Sequence, residues 1–169
     1  MKLIKPSVEF KGSFLYAVEA FAAEGNAHFF KNPVVEENFE HYCETLIGYE
    51  TGIGLPEGYV DETILWMVDN DQYIGNISIR HWLTDNLLKT GGHIGYIIAP
   101  NQRKKGYGTK ILELGLFEAL RFGMNKVLVT CDKNNTASIK IIERNKGKFE
   151  NEMYSEHARV WKRRYWIDL

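Results

Sequence analysis

One segment in the middle of the chain constrains the fold more than any other. An apolar, β-branched run at 93–99 ends at Pro100, and a basic turn containing glycine follows before an amphipathic stretch. This pattern predicts a strand, a tight turn and a helix over about 107–122, and the apolar run at 126–131 predicts another strand. Because a crossover helix between two strands of one sheet makes them parallel, we expect these two strands to pair in parallel.

The strands before this unit follow one another closely. Strand-like runs at 63–68, 73–80 and 93–99 are separated by turn-forming residues at 69–71 and by a polar loop at 83–92. Short connections favour antiparallel neighbours. These three strands are therefore predicted to form an antiparallel meander.

The remaining segments complete a mixed α/β fold. The other predicted elements are a short first strand at 3–4, helices at 13–24, 36–47 and 136–145, and a closing antiparallel pair at 148–154 and 164–169. The sequence contains no internal repeat, linker or low-complexity run. We therefore expect one domain spanning residues 1–169.

Composition excludes several functional classes. The formal net charge is -1, which disfavours a domain that coats nucleic acid. The two cysteines, Cys43 and Cys131, are far apart, so neither a disulfide framework nor a metal site is expected, and free thiols favour the cytoplasm. No window approaches the length of apolar sequence that spans a membrane, and the amino terminus does not read as a signal peptide.

The turn between the central strand and helix has the chemistry of a phosphate site. It reads Arg103-Lys104-Lys105-Gly106-Tyr107-Gly108. A helix amino terminus exposes unpaired N–H groups and a partial positive charge, and glycine lets the main chain approach a bulky anion. The P-loop and the dinucleotide fingerprint fit less well, since residues 108–110 reverse the P-loop order and the turn follows antiparallel strands. A solvated basic loop that only caps a helix is the alternative.

Two motifs together resemble the GNAT (GCN5-related) N-acetyltransferase superfamily. The turn at 103–108 matches its Gln/Arg-x-x-Gly-x-Gly/Ala signature, and Asn135-Thr136-Ala137-Ser138 resembles the segment that opens its last helix. The order of elements matches over nearly the whole chain. The resemblance implies a mostly antiparallel sheet of six or seven strands, helices on both faces, and a V-shaped splay between strands 4 and 5.

The resemblance also implies acetyl-CoA as cosubstrate and assigns residues to it. Backbone groups of Ile97 and Ile98 would pair with the pantetheine arm like an added strand. Asn135 and Ser138 would lie beside the same arm. The residues implied for the diphosphate are Arg103, Lys104, Lys105, Gly106, Tyr107, Gly108 and Thr109.

An N-acetyltransferase needs a proton donor for the leaving thiolate and a base for the amine. Many family members place a tyrosine seven positions after the asparagine, where this chain has Ile142. Tyr96, Tyr107, Tyr154 or water could replace it, and Tyr96 is our candidate. His81 and His93 are the candidate bases, since imidazole titrates near neutral pH. We expect them to face each other at one end of the sheet, with Arg80 on the other face; packing roles for both are the alternative.

Three functions remain open at this point. The first is transfer of an acetyl group from acetyl-CoA to an amine of a small molecule or peptide. The second is a non-catalytic domain that binds acyl-CoA, which the missing tyrosine favours. The third is a nucleic-acid module that uses the basic turn, which the net charge disfavours. A homodimer stays open, and the acceptor cannot be read from the sequence.

Overall fold

Within residues 1–26 and 38–169, the part of the chain that the computed structural model describes, seven strands form one sheet with helices on both faces. The strands are β1 (Lys2–Ile4), β2 (Glu62–Asp69), β3 (Gln72–Arg80), β4 (Ile94–Ile98), β5 (Lys126–Asp132), β6 (Lys148–Ser155) and β7 (Val160–Asp168). The α-helices are α1 (Lys11–Ala23), α2 (Phe39–Gly48), α3 (Tyr107–Arg121) and α4 (Thr136–Arg144). The predicted elements are confirmed to within a few residues, except that the expected start of the second helix at Glu36 lies outside the described residues.

The sheet has the order β1-β2-β3-β4-β5-β7-β6. All neighbours are antiparallel except β4 and β5, which pair in parallel. The helix α3 lies between these two strands in sequence, as a parallel crossover requires. The predicted meander and parallel pair are both confirmed.

Two apolar clusters cover the two faces of the sheet. On one face, α3 and α4 bury residues such as Ile111, Leu112 and Ile142 against β3, β4 and β5. On the other face, α1 and α2 bury Phe14 and Phe39 against Trp66, whose ring stacks on Phe14 at 4.7 Å. Because side chains alternate along a strand, even-numbered residues of β4 face α3 and odd-numbered ones face α1.

Two features differ from the sequence-based expectation. A charge run such as Lys162-Arg163-Arg164 is typical of a solvated strand edge, but β7 lies between β5 and β6 and Arg164 is only 8% exposed. Its guanidinium binds Glu150 at 2.9 Å and Asn151 at 3.1 Å. The polar loop before β4 also contains a π-helical turn at Leu87–Gly91, closed by a bond from the Gly92 N–H to the Leu87 carbonyl.

Candidate active site

The parallel strands β4 and β5 separate almost as soon as they meet. Their only paired position within the described residues is Ile94 with Val129. At that point the His93 N–H donates to the Leu128 carbonyl at 2.7 Å, and the Leu128 N–H donates to His93 Nδ1 at 2.9 Å. Beyond it, residues 95–98 pair only with β3, whereas residues 130–132 pair only with β7. The result is a wedge-shaped gap that opens toward the carboxyl ends of both strands.

The register of β4 decides which backbone groups face this gap. The Arg80 N–H donates to the His93 carbonyl and the Ala99 N–H donates to the Ile74 carbonyl. In an antiparallel ladder the bonded residues alternate, so Ile97 directs its N–H and carbonyl to Asn76 on β3. Tyr96 and Ile98 direct theirs into the gap. This corrects the expectation for Ile97 as a backbone contact of the pantetheine arm.

The turn after β4 leaves a cluster of backbone N–H groups without partners. A 3₁₀ turn at Pro100–Gln102 leads to Lys104 at φ 63° and Gly106 at φ 85°, and α3 begins at Tyr107. Among the described residues, no backbone hydrogen bond uses the N–H groups of residues 104–108. Consecutive unpaired N–H groups at a helix amino terminus form an anion site.

The side chains of the turn divide between anchoring and exposure. The Arg103 guanidinium, expected at the diphosphate, instead binds Glu24 at 2.8 Å, donates from Nε to the Ile98 carbonyl at 3.2 Å and lies over the Phe21 ring. It therefore fastens the turn to the end of α1. Lys104 and Lys105 are exposed, and the Lys105 ammonium donates to the side chain of Gln102 at 2.9 Å.

The first turn of α3 is fixed by contacts with the end of β2 and with α4. The Tyr107 hydroxyl donates to Asp69 at 3.0 Å, which ties α3 to the end of β2. A Cβ at Gly108 would lie 2.5 Å from Ile141 Cδ1, so glycine allows α4 to approach α3 here. The Thr109 N–H donates to the Gly106 carbonyl at 3.1 Å. These contacts fix the direction of the unpaired N–H groups.

The amino terminus of α4 closes the other side of the gap. The Asn135 side-chain oxygen accepts from the Ser138 N–H at 3.0 Å and caps the helix. Its amide NH₂ group is exposed and remains a donor. Ser138 follows one turn later, beside Tyr96.

Tyr96 places a buried phenol between the two strands. Its hydroxyl is buried and has no hydrogen-bond partner among the described residues. Burial raises the pKa of Tyr96 to about 12. The Ser138 hydroxyl is close enough to oppose this in part, but it does not have the geometry of a hydrogen bond to the phenol. An unpaired buried hydroxyl costs about 1–3 kcal/mol, so its presence needs a reason beyond packing. A neutral phenol in this position is a hydrogen-bond donor.

Ile142 occupies the position where the resemblance implies a tyrosine. Its side chain is fully buried and belongs to the cluster beneath α4, together with Cys131 and Tyr165. Burial also raises the pKa of Cys131 to about 11, and the thiol stays protonated. Neither side chain supplies a proton donor that titrates near neutral pH.

His93 has a structural role. Its Nδ1 accepts the Leu128 N–H, so the neutral ring carries its proton on Nε2 and has no free basic nitrogen. Burial, and then the positive charge of Arg80, lower its pKa. Arg80 is paired with His93 across the strands and lies on the same face, contrary to the expected arrangement.

His81 lies on the face of the sheet opposite His93. Its Nε2 is 2.8 Å from the Thr63 hydroxyl, and its ring packs on Phe122 just after the carboxyl end of α3. The unpaired N–H groups lie at the other end of this helix, whose 15 residues span about 22 Å. The two histidines therefore do not face each other, and His93 has no free nitrogen to act as the base. A base role for His81 stays a prediction.

Two further properties of the described residues bear on the site. They contain no group of three or more His, Cys, Asp or Glu side chains arranged to hold a metal ion. None of the helices resolved in these ranges has the length and apolarity needed to cross a bilayer.

The comparison with protein families agrees with this geometry. The family model described as an acetyltransferase (GNAT) domain matches residues 15–148, which is more than half of the chain. The chain belongs to the GNAT acetyltransferase family. Members of this family transfer an acetyl group from acetyl-CoA to an amine, and both the splayed strands and the turn at 103–108 are part of this GNAT domain. A search among curated proteins finds no match.

Solved structures share the fold at low sequence identity. MccE, a microcin self-immunity acetyltransferase in complex with acetyl-CoA and AMP, is 16% identical with a TM-score of 0.73, covering 99% of this chain and 91% of its own. RimL, a ribosomal alpha-N-protein acetyltransferase in complex with coenzyme A, is 15% identical with a TM-score of 0.71, covering 100% and 95%. Spermidine N-acetyltransferase SpeG from Vibrio cholerae, solved as a variant, is 15% identical with a TM-score of 0.63, covering 99% and 95%.

Proposed function

We propose that this GNAT protein transfers an acetyl group from acetyl-CoA to a primary amine of a small molecule or a peptide, with the cosubstrate held in the gap between β4 and β5. One observation carries the proposal. The unpaired N–H groups at 104–108 follow the carboxyl end of β4, while the buried hydroxyl of Tyr96 lies two residues from the closed end of the same gap, so the two groups mark its two ends.

The diphosphate contacts come from the main chain. The N–H groups of residues 104–108, the start of α3 and the exposed ammonium groups of Lys104 and Lys105 would hold the two phosphates. Thr109 lies in the first turn of α3 and would add its hydroxyl. Arg103 contributes by anchoring the turn to Glu24 and not by direct contact.

The pantetheine arm would lie along the free edge of β4. The backbone N–H and carbonyl of Tyr96 and the N–H of Ile98 point to this edge. The arm would pair with them in the way that an added strand does. The Ile98 carbonyl already accepts from Arg103. The exposed amide of Asn135 and the hydroxyl of Ser138 would contact the arm from α4.

Tyr96 is the proposed proton donor. When bound, acetyl-CoA supplies the thioester carbonyl that the amine attacks. The phenol of Tyr96 is protonated at neutral pH, and its hydroxyl is free to donate to a thiolate that forms in the gap. It would take the role of the tyrosine that Ile142 replaces.

The acceptor class follows from the family and its structural relatives. RimL acts on a protein amino terminus, and SpeG acts on spermidine. Both substrates are primary amines, which supports an amine acceptor for this chain. A non-catalytic domain that binds acyl-CoA is the second candidate, because the usual tyrosine position holds Ile142.

The proposal extends to the location, the partners and the oligomeric state of the protein. Buried free thiols at Cys43 and Cys131 support a reducing cytoplasm. The net charge of -1 supports a function without nucleic acid. We also propose that residues 1–169 act as one domain, and that the protein is a homodimer, for which exposed Phe117 on α3 is a candidate contact.

Calorimetry and a thiol-release assay on the full chain test the proposal together. We expect heat on titration with acetyl-CoA and release of free CoA thiol when a panel of primary amines is added. Heat without thiol release for any amine would assign the chain to the acyl-CoA-binding alternative. Absence of heat from acetyl-CoA and CoA at millimolar concentration, with folded protein, would overturn both.

A further inference from the structure

A second concave region lies next to the gap, on the face of the sheet opposite α4. It is a cleft of about 730 Å³ between the loop at 86–91 and the hairpin that joins β6 to β7. The cleft is about half open to solvent, and its volume is sufficient to hold part of a small ligand or a few residues of a peptide. Lys89, Thr90, Glu156, His157 and Lys162 are among its lining residues.

The cleft is fastened to β5 at the point where the gap opens. The Thr130 hydroxyl donates to the Thr90 carbonyl at 2.9 Å and to the Gly91 carbonyl at 3.2 Å. Thr130 directly follows Val129, the residue at which β5 pairs with β4. Lys162 on the cleft wall forms an ion pair with Asp132 at the end of the same strand.

The cleft and Tyr96 approach the gap from opposite faces. Thr130 and Asp132 point away from the face that carries Cys131 and Tyr96, because side chains alternate along a strand. An amine that enters by the cleft would reach the gap on one face, while the proton donor for the thiolate lies on the other. In direct transfer the amine adds to the carbonyl carbon, and the C–S bond of the tetrahedral adduct then breaks, so an arrangement with the amine and the proton donor on different sides is compatible with the reaction.

The charges of the cleft select among amines. Lys162 is neutralised by Asp132. Among the described residues that line the cleft, this leaves Lys89 and Glu156 as the exposed charged side chains for which no ion pair is found. A polyamine carries several positive charges. In the cleft it would be attracted by the carboxylate of Glu156 and repelled by the ammonium of Lys89. An acceptor that carries a carboxylate as well as its amine would match both.

We propose that this cleft is the acceptor site and that Lys89 makes it select an amine whose molecule also carries a carboxylate, such as a short acidic peptide with a free amino terminus, over a polyamine. This inference rests on the proposed function and names its substrate class. In this proposal Lys89 determines which amine binds and takes no part in the chemical step.

The test uses the full chain, labelled with ¹⁵N and saturated with CoA so that no turnover occurs. Three probes are titrated: a short peptide with a free amino terminus followed by aspartates, the same peptide with asparagines, and spermidine. We expect amide shifts at 86–91 and 154–158, and binding of the aspartate peptide about fivefold tighter than of the asparagine peptide. Spermidine should bind more weakly than either.

Two matched variants locate the effect. Lys89→Glu should abolish the preference for aspartates, while Arg121→Glu makes the same charge change on α3, where Arg121 is 72% exposed, and should leave the preference intact. Shifts outside the cleft, no shifts at millimolar peptide, tighter binding of spermidine, or a preference that survives Lys89→Glu would each overturn the proposal. Heat from acetyl-CoA together with any of these results would reject the cleft and leave the proposed acetyl transfer standing.

Discussion

At the scale of single residues, Tyr96 shows how a side chain can be placed for chemistry at the expense of stability. Its hydroxyl is buried without a partner, although Ser138 is close by. A phenylalanine would fill the same space without an unpaired polar atom. The hydroxyl is therefore best explained by a ligand that accepts its hydrogen bond.

Replacing Tyr96 by phenylalanine separates these two effects. We expect Tyr96→Phe to lower kcat by about 100-fold, with little change in the KM for acetyl-CoA, because a proton donor is lost. The free energy of unfolding should stay the same or rise, since an unpaired polar atom is removed. Thiol-release kinetics and urea denaturation measure the two quantities.

The control is Tyr16→Phe. Tyr16 lies on α1, which does not include β4, β5 or the turn at 103–108, and its side chain is 59% exposed. It should change neither quantity. Unchanged kcat in Tyr96→Phe would assign the proton to water and remove Tyr96 from the mechanism.

At the scale of elements, the turn between β4 and α3 combines strain with open space. Gly106 has φ 85°, and a Cβ there would meet no protein atom within 4 Å. Gly123, which follows α3, has φ 80° and equally open surroundings. The same helix thus carries one such glycine at the proposed diphosphate site and one away from it.

Alanine at the two positions should distinguish strain from ligand contact. Each of Gly106→Ala and Gly123→Ala should cost about 1–2 kcal/mol of unfolding free energy through the left-handed backbone. Only Gly106→Ala should weaken acetyl-CoA binding, by about tenfold or more, because its methyl group projects beside the unpaired N–H groups. Equal affinities of the two variants in calorimetry would place the diphosphate elsewhere.

At the scale of the whole molecule, contacts at His93 help to join the two halves of the sheet. The meander β1–β4 and the group β5–β7 meet at Ile94 and Val129 and through the reciprocal bonds of His93 with Leu128. Further along, the gap leaves the halves unpaired. The protonation state of one histidine therefore affects how the halves hold together.

The stability of the protein should fall as the pH is lowered through the range of His93. The folded-state pKa lies below the unfolded value, first through burial and then through Arg80. The stabilisation is thus complete above the unfolded pKa of about 6.5 and is lost as the pH falls toward and through the folded pKa.

His93→Asn keeps a side-chain oxygen that can accept the Leu128 N–H but does not titrate. Urea denaturation between pH 7.5 and 5.5 should show a flatter pH dependence than the wild type. His157→Asn, at an exposed position, should keep the wild-type dependence. Identical slopes for wild type and His93→Asn would show that His93 does not titrate in this range.

Much of the architecture follows from local signals. Apolar periodicity located the strands and helices, and the basic glycine turn at 103–108 was enough to indicate a diphosphate site and the family. These signals are local because a strand, a turn and a helix amino terminus are each defined by a few consecutive residues. The insertion of β7 between β5 and β6 has no local signal, so the charge run at 162–164 gives no sign that Arg164 is buried.

By itself, the sequence determined the kind of fold, the family and the position of the turn that we propose to bind the diphosphate. Only the tertiary structure decided that the backbone groups of Ile97 point to β3 while those of Ile98 point into the gap. It also decided that Arg103 binds Glu24, that His93 joins β4 to β5, and that His81 lies at the carboxyl end of α3. The physical reason is that register, strand order and side-chain partners depend on contacts between residues distant in sequence. No short pattern encodes those contacts.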